Sequence, residues 1–159
     1  MLVYHGSNLT VEKPRIIVSD RFLDFGPGFY TTTNLAQAKS FASRVTDRRK
    51  TGQNCVSVYE LDDAVLKKLK VLSFDSADER WLNFVSANRI GETIQSVSDL
   101  IIGPVANDDV YQTFLLYTTG VLNKEQTLEA LKVKKLFNQY VFATDRALEC
   151  LKFLRVLQN

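Results

Sequence analysis

The chain has 159 residues, 45% of them hydrophobic and 24% charged, with a formal net charge of +2. That is enough apolar material for one core of ordinary size, and too much for a disordered segment. The charge imbalance is too small to imply nucleic acid by itself, so one domain spanning residues 1–159 is expected.

Cys55 and Cys150 lie far apart, one in a strand pattern and the other in a helix pattern. This spacing suits neither a disulfide scaffold nor a metal knuckle and fits a reducing compartment, so a cytoplasmic location is expected. Met1–Gly6 lacks the charged and apolar regions of a secretion signal, and the apolar runs fall short of the roughly 18 residues of a membrane span.

In chain order, Leu2-Val3-Tyr4-His5 reads as a strand stopped by Gly6-Ser7. Pro14 to Phe25 is mixed, with apolar Ile16-Ile17-Val18, and Asp20, Asp24 and the glycines around Pro27 make a loop. Phe29-Tyr30-Thr31-Thr32 is short and extended. Asn34 is placed to cap a helix with Leu35, Ala38, Phe41, Ala42 and Val45 on one face and Lys39, Arg44 and Arg48 toward water. Asn54–Leu61 alternates as a core strand, Ala64–Leu69 gives one or two helical turns, and Val71–Phe74 a short strand.

Asp75, Ser76 or Asp78 begins a helix carrying Trp81, Leu82, Phe84 and Val85, broken at Asn88-Arg89-Ile90-Gly91. Leu100–Val105 reads as a buried strand and Asp108–Thr118 as a helix with Val110, Phe114 and Tyr117 on one face. Asn123 with Gln126 has capping-box spacing, with Leu128 and Leu131 inward. Gln139–Ala143 reads as a strand. Asp145 caps a last helix that runs on through Leu151-Lys152 and Leu154-Arg155. Strands early, central and late with helices between them predict an α+β fold.

His5 is the only histidine, which excludes a multi-histidine metal site. At a strand end it is suited either to donate to a ribose hydroxyl, with its other nitrogen fixed by backbone, or to be a satisfied, half-buried histidine. Gly26-Pro27-Gly28 permits a tight turn but is neither a dinucleotide fingerprint nor a P-loop. Tyr30 beyond it is able to stack on a flat cationic ring, or to pack the loop together with Phe29.

Tyr4-His5-Gly6-Ser7, then Gly26-Pro27-Gly28-Phe29-Tyr30-Thr31-Thr32, then a helix with Gln37-Ala38 and Phe41-Ala42, together resemble the NAD-binding core of the mono-ADP-ribosyltransferase superfamily. The resemblance is strongest to a bacterial DUF3990-like branch. It continues through Trp81–Val85 with Asn88-Arg89, Ile102–Asp108 (I-G-P-V-A-N-D) and Asn138–Phe142, covering nearly the whole chain.

This resemblance implies an ADP-ribosyltransferase-like fold, with split antiparallel or mixed sheets around an NAD cleft and flanking helices. It implies His5 on a ribose, Gly6 on the nicotinamide amide through backbone, and Tyr30 stacked on nicotinamide. Ser7 and Gly28 fall within the same binding motifs. Gln139 stands where many relatives have glutamate. A carboxylate there stabilises the positive charge that develops on the sugar. An amide does not, and the loss costs roughly 10²- to 10³-fold in rate unless Asp108, Asp109 or Glu60 replaces it.

Arg89 is a candidate pyrophosphate clamp or a structural tie to an acidic partner, and Arg44 is a second phosphate candidate. The basic groups Arg48-Arg49-Lys50 and Lys132, Lys134, Lys135 do not interleave with aromatics, which favours a protein acceptor over nucleic acid. The resemblance further implies an intracellular toxin or effector restrained by a small protein partner. The rival expectation is a module that binds NAD or ADP-ribose without turning it over.

Overall fold

The structure is a computed structural model describing residues 1–18, 22–92, 98–105, 108–133 and 136–158. Asp20, Ala106, Asn107, Lys134 and Lys135, named above, lie outside these residues. The strands are β1 (Leu2–Ser7), β2 (Phe29–Thr32), β3 (Cys55–Leu61), β4 (Val71–Ser73), β5 (Leu100–Pro104), β6 (Asn138–Phe142) and β7 (Leu151–Gln158). The helices are α1 (Leu35–Arg49), α2 (Asp63–Leu66), α3 (Glu79–Arg89), α4 (Asp108–Thr118), α5 (Lys124–Lys132) and α6 (Asp145–Leu148). The fold is α+β: a mixed sheet with flanking helices.

The strand order is β4-β5-β6-β2-β1-β3-β7, with β4 and β5 parallel and the other neighbours antiparallel. The expected split sheets are one hydrogen-bonded sheet here, with a narrow join. β1 and β3 pair from Leu2–Glu60 through Ser7–Cys55, whereas β1 meets β2 in register at Tyr4–Thr32 alone.

Sequence pattern accounts for most elements. Asn34 accepts from the Gln37 amide at the start of α1, Asp78 caps α3 from Trp81 N, and Asn123 with Gln126 forms a complete capping box on α5. Each cap satisfies an amide that the first helical turn leaves without an intrahelical partner. On one sheet face Phe25, Phe74, Trp81, Val85, Phe114, Leu131 and Val141 form a core under α3, α4 and α5. α1 covers the β1/β3 half through Ala38, Ala42 and Val56. The opposite face packs Val3, Phe29, Tyr59, Leu100, Phe142 and Ala147.

Three local expectations need correction. β1 does not stop at Gly6. It runs through to Ser7, because the absent side chain lets α1 lie on the strand: a Cβ at Gly6 would stand 2.0 Å from Ala38 O. Phe41 does not pack inward and is 46% exposed, since the docked stripe of α1 is Ala38, Ala42 and Val45.

The last helix ends at Leu148, is capped by the Thr144 hydroxyl rather than Asp145, and is followed by β7. Arg155 pairs with Val58 and Phe153 with Tyr59, so Leu154 is an extra residue in a bulge. A bulge breaks the period of two, and the leucines around it then read at helical spacing. The same bulge, with Lys152 and Arg155 exposed, shields this edge of the sheet from further pairing.

Asp99 ties elements together at the β5 start. Its carboxylate accepts from Lys70 N at 2.9 Å and from the Thr144 hydroxyl at 2.8 Å. The bond from Lys70 N, followed by that from Thr144, holds its carboxyl below the usual 3.8. A depressed carboxyl contributes stability that is present above its unfolded pKa and lost as pH falls toward the folded one.

Gly6→Ala is expected to cost at least about 2 kcal/mol, because α1 must move off the strand; thermal or urea unfolding measures it. Asp99→Ala is expected to cost about 1–3 kcal/mol at neutral pH. Its deficit against the parent should shrink as pH drops below 3.8, and a deficit that stays constant into acid would contradict the assignment.

Candidate functional site

His5, Gly28, Tyr30 and Gln139 lie around the β1/β2/β6 join, distributed over the two sheet faces. His5 lies on β1 and stacks on Phe29, with ring centroids 4.4 Å apart. Phe29 belongs to the core opposite α3, whereas the next residue, Tyr30, packs into the core beneath α3. Consecutive strand residues point to opposite faces, so the imidazole and the phenol leave the sheet on opposite sides. They are linked through backbone: His5 Nδ1 lies 2.7 Å from Tyr30 O.

A carbonyl oxygen can only accept, so Nδ1 carries the proton and Nε2 is an acceptor. This reverses the direction expected from sequence, in which the ring donates to a ribose hydroxyl. Burial lowers the His5 pKa below 6.5, against the Tyr30 carbonyl, which raises it; the positive charge of Arg49 lowers it further. The ring is therefore neutral near pH 7. Arg49 itself donates to Asn8 Oδ1 at 3.0 Å, beside Ser7 at the end of β1.

The Tyr30 hydroxyl is engaged by the turn that precedes β2. It donates to Gly26 O at 2.6 Å and accepts from Phe25 N at 3.1 Å, and burial pushes its pKa upward. Gly26 has φ +76°, a conformation that favours glycine. Gly28 is pressed onto β6, where an added Cβ would lie 2.6 Å from Val141 Cγ1 and 2.9 Å from Phe142 O.

Gln139 pairs with Thr32 on one side and Gly103 on the other. Paired residues share a face, and Gly103 faces Phe25 and Phe74, which puts Gln139 on the Tyr30 side. Gln139 is 5% exposed, and its Nε2 is a buried donor with no partner. Such orphans are uncommon and call for an explanation. Glu60, offered by sequence as a substitute acid, is exposed on β3 with β1 and β2 between it and β6.

Arg89 reaches back to the glycine turn. Its Nε and one terminal nitrogen both donate to Asp24 Oδ1, and its guanidinium lies 4.9 Å from the Tyr111 ring centre and 5.3 Å from that of Phe114. Asn88 Nδ2 donates to Asp24 O at 3.0 Å. Arg44 sits on the exposed face of α1 and donates to Ser40. Arg89 thus ends on Asp24 beside the glycine turn, near enough for its charge to act on the Tyr30 hydroxyl.

The pairing of Asp24 with Arg89, 65 positions apart, has no sequence signal. Asn8, which is 2% exposed and holds Thr51 and Arg49, likewise carries no local sequence signal. A cleft of about 600 Å³ opens beyond the start of β6, with Asn138, Leu128 and Leu131 among its walls. Asp75, Asp78, Glu79, Glu125 and Glu129 also line it, against Lys132, so it disfavours a pyrophosphate.

Among the described residues no cluster of three or more His, Cys, Asp and Glu side chains could hold a metal ion, and no helix is long and apolar enough to cross a membrane. No curated protein matches the chain. The model of one protein family, described as "Protein of unknown function (DUF3990)", matches residues 1–153, and the chain belongs to that family.

Proposed function

We propose that this protein binds NAD at the β1/β2 join and transfers its ADP-ribose to an acceptor, with a protein acceptor favoured over nucleic acid. The observation that carries the reading is the orphaned Gln139 amide, on the same sheet face as Tyr30 and next to its strand. A ribose hydroxyl both donates and accepts, so it satisfies either end of that amide. The nicotinamide-riboside end of NAD therefore fits the residues present.

The ligand would lie on the Tyr30 face of the join, since His5 leaves the sheet on the other side and reaches Tyr30 through its carbonyl. Nicotinamide would then stack on Tyr30 and a ribose hydroxyl would meet Gln139, while His5, on the other face, would not touch the ribose but would position the Tyr30 strand through its Nδ1 bond. When the nicotinamide–ribose bond breaks, the bonding pair leaves with nicotinamide and positive charge grows on the sugar. Gln139 orders the hydroxyl but adds no full negative charge, so turnover is slow by roughly 10²- to 10³-fold relative to a carboxylate at that position. The same neutrality favours one second reading, an NAD- or ADP-ribose-binding module with negligible turnover. In either case a cytoplasmic toxin or effector role, with a small protein that restrains it, follows from the superfamily likeness.

Nicotinamide release and transfer of labelled ADP-ribose to lysate proteins test the reading. The parent protein should release nicotinamide, and His5→Ala and Tyr30→Ala should abolish most of it. Gln139→Ala should weaken NAD binding by about 2- to 12-fold, the worth of one hydrogen bond. Unchanged activity in both ring variants would remove the assigned roles, and binding without release would select the second reading. Nitrogen NMR of the single histidine should show a protonated Nδ1 and a bare Nε2 at pH 7; the opposite tautomer would refute the His5 assignment.

A further inference from the structure

The Gln139 amide is not only unpartnered but sealed, with the residue 5% exposed. No hydroxyl reaches its nitrogen until something moves. On its β5 side, the space above Gly103 is filled by Phe25 and Phe74: a Cβ at Gly103 would stand 3.0 Å from Phe25 Cζ and 3.1 Å from Phe74 Cβ. Phe25, itself 2% exposed, is carried on the Asp24–Gly28 turn.

That turn lacks the regular ladder bonds of a strand. Polar contacts with other elements hold it: Asp24 to Arg89, Asn88 to Asp24 O, and Tyr30 to Phe25 N and Gly26 O. Gly26, at φ +76°, is the pivot beside Pro27, and the Arg89 end of the latch is steadied by the Tyr111 and Phe114 rings. The Asp24 and Arg89 side chains are 9% and 23% exposed, so the pair is largely shielded from screening salt. A shielded ion pair holds only while both partners stay in place, so its loss tends to release the segment as a unit.

We propose that the Asp24–Gly28 turn is a strap closing the nucleotide site, with Phe25 as its plug and the Asp24–Arg89 pair as its latch. The proposal rests on the NAD-binding reading above. The closed form is the one described here, and the binding-competent form is the less populated one. Apparent affinity is then reduced by the fraction of molecules that are open, and anything that weakens the latch tightens binding. The acceptor, or the partner that restrains the protein, would act by opening or holding this turn.

The test titrates NAD and, separately, ADP-ribose into the parent, Asp24→Asn and Arg89→Gln, with hydrogen exchange read over residues 22–28 and over β6. Both variants are expected to bind about tenfold tighter than the parent, with faster exchange in the turn while β6 stays protected. Tighter binding by Asp24→Asn but weaker binding by Arg89→Gln would overturn the latch and make Arg89 a phosphate ligand. Equal affinity in all three would overturn the strap and leave NAD binding intact. Absence of binding in all three would overturn both. Exchange that rises across the whole sheet in both variants would make the pair a fold-wide tie and overturn the strap; Phe25→Ala, which keeps the latch and removes the plug, should by itself tighten binding, and failure to do so would likewise overturn it.

Discussion

The narrow join between β1 and β2 is the constraint on which the rest of the molecule depends. Two half-sheets, one under α1 and one under α3, α4 and α5, meet at a strand pair that shares one registered contact. At that point the His5 side chain takes over the work of a ladder amide by donating to Tyr30 O. A ladder bond is fixed by backbone geometry, whereas an imidazole also responds to proton and ligand. Its proton must stay on Nδ1 to hold the carbonyl, and this leaves Nε2 as a hydrogen-bond acceptor at the join.

The same region concentrates the buried polar groups that a domain core ordinarily avoids: Asp24, Thr31, Thr32 and Gln139 are all less than a tenth exposed. Most are satisfied. Thr31 donates to Tyr140 O, and the single Thr32 hydroxyl proton is shared between Gln37 Oε1 at 2.7 Å and Asn138 O at 3.1 Å, ties that hold β2 to β6 and α1. Against this background Gln139 Nε2 stands out as the one buried orphan among the described residues. Leaving an amide donor buried and unpaired costs about 1–3 kcal/mol, a sizeable part of a domain's marginal stability.

What was legible in the sequence follows the range of the interactions involved. Asn34, Asp78 and Asn123 act within one helical turn, and the caps are where spacing predicts them. β3 is buried along most of its length, and its apolar alternation is plain. β7 reads as helix in the sequence because the bulged Leu154 shifts the leucines into helical spacing, and only the paired partner β3 reveals the shift. That Phe29 and Tyr30 face opposite ways follows from the strand period, but which face receives His5 depends on its stacking against Phe29. The tie between Arg89 and Asp24 joins a helix end to a distant turn, and nothing local to either residue records it.

Gln139 gains a physical rationale once its burial is considered together with its chemistry. A carboxylate in its place would meet the same enclosure, beside Gly103 under Phe25 and Phe74. An isolated buried carboxylate costs several kcal/mol more than an unpaired amide, and it would either take up a proton or force the turn open. The neutral side chain is therefore the one compatible with the proposed closed strap, and in the proposed reaction the feature that would slow bond cleavage is also the one that allows the site to be sealed. A site built this way gives up transition-state charge stabilisation in exchange for an enclosed resting form. On the proposed reading, that trade is the one required of an enzyme held inactive by a closed strap.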